Sequence, residues 1–172
     1  MIIRPARAAD ATAVADIANA IIRDTLITFT TVLRTPEEVA GDIAARGEAF
    51  LVAEDAGRVV GFATYGPFRK GPGYAATREH TVLLAPEGRG RGAGRALMQR
   101  LEEVARGHGV HVLIGGVSGA NPAGISFHKR IGFTEAGRLA EVGHKQGQWL
   151  DLVLMQKLLR RETAPDRTGA PG

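Results

Sequence analysis

The chain has 172 residues, 44% of them hydrophobic and 23% charged, which suits one ordinary globular domain with a sizeable core. It contains no cysteine, so a disulfide framework, a thiol nucleophile and an acyl-cysteine mechanism are excluded. The net charge of +4 and a pI of about 10.0 come without a basic run and with only 5% aromatics, which argues against a nucleic-acid partner and for solubility and attraction of an anionic cofactor.

The amino terminus, Met1 to Pro5, has no signal-peptide anatomy, and no apolar run approaches the roughly 18 residues of a membrane span. A soluble, cytoplasmic protein without a membrane partner is expected. Ile2 to Arg4 reads as a short strand stopped by Pro5, and Asp10 as the cap of a helix with Val14, Ile17, Ala18 and Ile21 on one face. A Thr-rich loop carries Phe29. Thr35-Pro36-Glu37-Glu38 then has the cap, proline and acidic first turn of a second helix, ending near Arg46. Ala49 to Glu54 and Arg58 to Tyr65 pair as strands around Asp55-Ala56-Gly57.

Gly66 to Ala76 holds two Pro-Gly-type breakers and reads as a loop, and Arg78 to Leu84 as a central strand. Between Leu84 and the next helix lies Glu87-Gly88-Arg89-Gly90-Arg91-Gly92-Ala93-Gly94-Arg95, with glycine at every second position. Such spacing lets successive backbone N–H groups approach an anion, and the helix that follows adds its positive end. Arg89, Arg91 and Arg95 would add charge-assisted bonds to phosphate. Alternating glycines also serve as plain turn punctuation. No Gly-Lys-Ser/Thr follows, which excludes a Walker-type loop. About half the chain precedes the loop, and Asp and Glu are absent from His108 to Gly132, so a dinucleotide fingerprint fails too.

Ala93 to Gly107 reads as a helix with Leu97, Leu101 and Val104 toward the sheet. His111 to Val117 follows as a strand, Pro122 to Ile131 as a helix opened by Asn121, and Phe133 to Val142 with Trp149 to Leu158 as a last hairpin. Residues 1–159 form one expected domain, and Arg160 to Gly172 an expected disordered tail. The element order predicts a mixed α/β fold covered on both faces of its sheet.

Arg89-Gly90-Arg91-Gly92-Ala93-Gly94 fits the pattern Gln/Arg-x-x-Gly-x-Gly/Ala, and Asn121 is followed by Ser126-Phe127-His128-Lys129-Arg130-Ile131-Gly132-Phe133. In these two ordered landmarks the chain resembles the GNAT superfamily of N-acetyltransferases. Gly61 to Arg69, Tyr74, Glu79-His80-Thr81-Val82 and Gly143 to Asp151 are similar to its phosphinothricin and methionine sulfoximine acetyltransferase branch. The resemblance implies a twisted mixed sheet of about seven strands with about four helices. It also implies acetyl-coenzyme A as co-substrate and no metal.

Attack by an amine on a thioester needs a proton acceptor and a donor for the thioester oxygen. The resemblance points to Glu79 as the base, acting directly or through water, with surface pairing to Arg78 or Arg69 as its bland alternative. His128 is the candidate acid for the leaving thiolate, against a plain packing role. Main-chain groups of Val82, Leu83 and Leu84 would line the pantetheine arm, and Gly90, Gly92, Ala93 and Gly94 with the three arginines would hold the phosphates. Asn121 would contact the coenzyme, cap its helix, or both.

A small-molecule amine with a carboxylate needs a cation, for which Arg69, Arg78 and Lys145 are candidates, with Phe29, Tyr74 and Trp149 as walls. The branch's Tyr-Arg-x-Thr-Val-Glu run is Tyr74-Ala75-Ala76-Thr77-Arg78-Glu79 here, so either the cation has moved or the substrate has changed. A homodimer paired through the last strand is expected. Acetylation of another amine, a non-catalytic acetyl-coenzyme A sensor and a basic nucleic-acid-binding domain are the alternatives.

Overall fold

The computed structural model describes residues 1–159; the tail expected to be disordered lies outside the described residues. Seven strands form one sheet: β1 (Ile2–Pro5), β2 (Phe50–Asp55), β3 (Arg58–Pro67), β4 (Thr77–Leu84), β5 (Val112–Ser118), β6 (Thr134–Lys145) and β7 (Gln148–Leu158). Their order across it is β1-β2-β3-β4-β5-β7-β6. All neighbours are antiparallel except β4 and β5. Four α-helices cover it, α1 (Ala11–Asp24), α2 (Pro36–Arg46), α3 (Ala93–Gly107) and α4 (Pro122–Arg130).

Local chemistry accounts for most boundaries. The Thr35 side chain accepts from Glu38 N at 3.2 Å and Glu38 Oε2 from Thr35 N at 3.0 Å, the reciprocal cap read from sequence. Ala56 and Gly57, both at positive φ, close the β2–β3 hairpin, as a type I′ turn requires. Asp10 departs from expectation. It makes no side-chain cap on α1 and instead ends a short 3₁₀ turn, its carboxylate taking Arg7 N at 2.7 Å and the Arg4 guanidinium at 2.7 and 2.9 Å. Those bonds hold its pKa below the usual carboxylate range.

The last hairpin is also longer than expected. β6 passes Val142 and reaches Lys145 by way of a register shift between Leu139 and Gly143. There Glu141 takes positive φ and its N–H reaches Asp151 Oδ1 at 3.0 Å.

Alternation along the strands builds two cores. Leu51, Ala53 and Tyr65 pack with Leu97, Met98 and Leu101 of α3, whereas Phe50, Val52 and Phe62 pack with Val14, Ile17, Val39 and Ile43 of α1 and α2. The strand pairing contains one break that positions the site. β4 and β5 pair only from Thr77/Val112 to His80/Gly115, after which β4 runs to Leu84 beside β3 and β5 to Ser118 beside β7. The middle of the sheet parts there.

Candidate active site

The parting opens a cavity of about 250 Å³, walled by Thr81 to Leu83 on one side and Gly116 to Ser118 on the other. Ile27, Thr28 and Phe29 roof it, and Asn121 and His128 close its far end. Because neither free edge has a strand partner, the backbone groups facing the gap are available to a ligand. Residue patterns alone do not reveal this parting of the strands.

At the outer end of β4 the glycine loop enters α3. Gly90 and Gly92 take positive φ, which an L side chain resists, and Gly92 precedes the helix with no side-chain cap. The first amides of α3 therefore have no intrahelical or capping partner and point outward with the helix dipole behind them. A second cavity, about 280 Å³, lies against Gly90, Gly92, Ala93, Gly94 and Arg95, and Arg130 from α4 joins it. That donor set suits the pyrophosphate of a coenzyme. Arg130 was not singled out from sequence; its position at the end of α4, facing the loop, is a tertiary fact. Arg89 donates to Leu84 O at 3.4 Å, and Arg91 is turned away into an ion pair with Asp55.

Glu79 sits where the strands begin to part. Its carboxylate leans across the gap, since a Cβ on Gly116 would lie 3.2 Å from Glu79 Oε1. Among the described residues it makes no ion pair within 4.0 Å, and desolvation raises its pKa above the ordinary carboxylate value. Such a carboxylate is a stronger base than a solvated one.

Behind the gap lies a buried histidine pair. His128 Nδ1 is 2.7 Å from Gly124 O, which can only accept, so that nitrogen carries the proton. The bare Nε2 of neutral His128 then accepts from His80 Nε2 at 2.9 Å, leaving His80 Nδ1 buried with no partner among the described residues. Desolvation depresses both pKa values, and for His80 the neighbouring His128 adds to it. Gly115 permits this packing; a Cβ there would meet His80 at 2.7 Å. Asn121 both caps α4, its Oδ1 taking Gly124 N at 2.9 Å, and lines the gap.

The residues expected to bind an acceptor are scattered. Phe29 lines the gap, its ring packed on Gly143. Arg78 pairs across the sheet with Pro67, and alternation turns it from Glu79 toward the face of His80 and Tyr65. Arg69 stacks over Phe68 at 5.4 Å in the β3–β4 loop, where Tyr74 also lies exposed. Trp149 is 65% exposed on the outer hairpin against His144. Lys145 is buried, and its Nζ donates to Thr28 O at 2.8 Å, clamping the Phe29 loop to β6; burial lowers its pKa. None of Arg69, Arg78 and Lys145 lines the gap. Among the described residues no group of three or more His, Asp or Glu is placed to hold a metal, and no helix is long and apolar enough to cross a membrane.

Known proteins are similar to this chain in sequence and in fold. The model of the acetyltransferase (GNAT) family matches residues 18–133. The chain is 37% identical over 177 residues to the L-amino acid N-acyltransferase MnaT of Escherichia coli strain K12, covering 98% of this chain and 100% of that protein. It is 38% identical to the L-methionine sulfoximine/L-methionine sulfone acetyltransferase of Salmonella typhimurium strain LT2, over 96% of this chain and 99% of the relative. Among solved structures, yncA, a putative acetyltransferase from Salmonella typhimurium with its cofactor acetyl-CoA, superposes with a TM-score of 0.90 at 36% identity, covering 97% of this chain and 98% of that one.

Proposed function

The chain belongs to the GNAT family of acetyltransferases, and we propose that it transfers acetyl from acetyl-coenzyme A to the α-amine of a small amino acid or analogue, such as methionine sulfoximine, methionine sulfone or phosphinothricin. One observation carries the reading: a single stretch of β4 borders both spaces, Leu84 lining the cradle and Thr81 to Leu83 the gap, and the Glu79 carboxylate, which no cation neutralises among the described residues, stands two positions before it.

Acetyl-coenzyme A supplies a thioester open to nucleophiles. The amides of Gly92 to Arg95, with Arg89, Arg95 and Arg130, would hold its pyrophosphate, and the free edge of Val82 to Leu84 its pantetheine arm. Arg91, committed to Asp55, contributes little to that hold. An N–H on the β5-facing edge of β4 would donate to the thioester oxygen as it gains charge. Glu79, with its raised pKa, would take the amine proton directly or through one water. His128 already spends its N–H on Gly124 O, and burial opposes a second proton. We therefore assign the histidine pair to shaping the wall of the gap, and the leaving sulfur takes its proton from solvent.

The same reading pairs two copies through the outer hairpin, where Trp149, Val142 and Leu139 are exposed, and places the reaction in the cytoplasm. A monomeric mass by light scattering at micromolar concentration would sink the pairing. The function is tested by following thiol release from acetyl-coenzyme A with methionine sulfone, methionine sulfoximine, phosphinothricin and spermidine. Release with the amino-acid analogues and not with spermidine is expected. Release with spermidine alone would overturn the acceptor class, and tight coenzyme binding without release would favour a sensor.

A further inference from the structure

A further chamber, about 240 Å³, lies beneath α1 and α2 and shares Thr28, Thr81 and Leu83 with the gap, so the two adjoin. Its apolar side includes Phe50 and Phe62; its polar side holds Arg34, Asp42 and Arg46. Among the described residues these two arginines are the only cations lining either space. They are not equivalent. Arg34 is engaged by Asp42 at 2.9 Å and by Glu38 at 3.8 Å, whereas Arg46 has, among the described residues, only the same Asp42 at 3.3 Å and the Thr64 hydroxyl at 3.2 Å. One carboxylate shared by two guanidiniums leaves Arg46 with unspent charge and N–H groups.

The path toward it is lined with hydroxyls. Thr81 stands two residues beyond Glu79 on the same strand face, and Thr64 is its direct cross-strand partner on β3. Thr28 Oγ1, in the wall common to both cavities, is shut off from solvent and has no hydrogen-bond partner among the described residues. A buried hydroxyl left unmet is a cost that a ligand atom can remove.

We propose that Arg46, with the hydroxyls of Thr28 and Thr64, is the subsite for a negatively charged oxygen group of the acceptor, a carboxylate or a phosphinate, while the acceptor's amine faces Glu79. This rests on the function proposed above and supplies the cation that Arg69, Arg78 and Lys145 do not bring to the gap. The acceptor is thereby an amine that also carries an oxyanion, and simple amines are poor substrates.

The test compares kcat/KM for methionine sulfone, for its carboxylate-free analogue 3-(methylsulfonyl)propylamine, and for decarboxylated phosphinothricin, which keeps only the phosphinate. In the Arg46→Gln variant the preference for methionine sulfone over the carboxylate-free sulfone falls about 10- to 100-fold, as expected for a lost charged hydrogen bond, and Arg46→Lys restores part of it. A comparable loss with decarboxylated phosphinothricin shows that the subsite takes a phosphinate as well as a carboxylate. A preference within about twofold of the wild type overturns the subsite, because a merely structural role would weaken all three acceptors alike. If Arg46→Gln fails to fold, Thr28→Val, which removes only the hydroxyl, is read by the same ratio. A wild type that acetylates none of the three sinks the acceptor class rather than the subsite. Calorimetric binding of methionine sulfone to the coenzyme A complex then decides: binding lost in Arg46→Gln upholds the subsite, and no binding to the wild type overturns it.

Discussion

On the α3 side of the sheet the anion cradle is one run of backbone, from Arg89 to Arg95, whose shape depends on glycine at Gly90 and Gly92. On the α1–α2 side the acceptor chamber draws Thr28 from a loop, Arg46 from α2, Thr64 from β3 and Thr81 from β4. The first region presents amides and a helix end, the second side chains from distant parts of the chain. A backbone cradle suits a cofactor used by a whole family, since it survives side-chain change outside its glycines. A side-chain chamber can be altered one residue at a time, which suits a variable acceptor.

The comparison breaks most sharply at Glu79, where the two regions meet. Glu79→Gln is expected to lower kcat by about 10²- to 10⁴-fold while acetyl-coenzyme A still binds, checked by steady-state rates beside calorimetric titration of the coenzyme. Equal rates in variant and wild type would remove Glu79 from the chemistry. Within the cradle, Gly92→Val forces a β-branched residue to φ 83°. Its KM for acetyl-coenzyme A should rise about tenfold with little change in the KM for acceptor, the split that a purely coenzyme-facing loop demands.

Lys145→Met should do the reverse by a smaller factor. It releases Thr28 O and the Phe29 loop, so the acceptor KM should rise about threefold, the equivalent of one modest hydrogen bond, with the coenzyme KM steady. Movement of both constants together would mean that the loop serves the whole gap.

Two pH effects sharpen the boundary further. Glu79 must be ionised to act as a base, and its pKa is raised, so kcat/KM should fall on acidification at a pH above the ordinary carboxylate range. The histidine pair acts on stability. Both folded pKa values are depressed, so below the unfolded value near 6.5 the unfolded chain binds more protons and stability falls as pH falls. Each histidine contributes a slope of up to about 1.4 kcal/mol per pH unit there. Thermal melts from pH 7.5 to 5.5 should lose part of that slope in His80→Phe, and an unchanged slope would show the pair to titrate freely.

How much was legible follows the same division. The strands, the helices, the reciprocal cap at Thr35 and the β2–β3 turn were readable because each rests on residues a few positions apart. The cap assigned to Asp10 was not, because Arg4 and Arg7 claim its carboxylate. Arg78 stood next to Glu79 in sequence and was a natural candidate cation, yet strand alternation puts it on the other face. Arg91 fitted the phosphate motif, but Asp55, distant in sequence, holds it.

By itself the sequence determined the order of elements, the family likeness, the glycine cradle and the glutamate that precedes it, because backbone conformation at glycines and the periodicity of apolar side chains are local properties. The tertiary structure alone decided that β4 and β5 part after His80 and Gly115, that His80 and His128 share a buried hydrogen bond, and that Arg46, Thr64, Thr81 and Thr28 gather around one chamber. Those features arise from strand register and from helices packing across a sheet, which bring together residues that no local spacing connects.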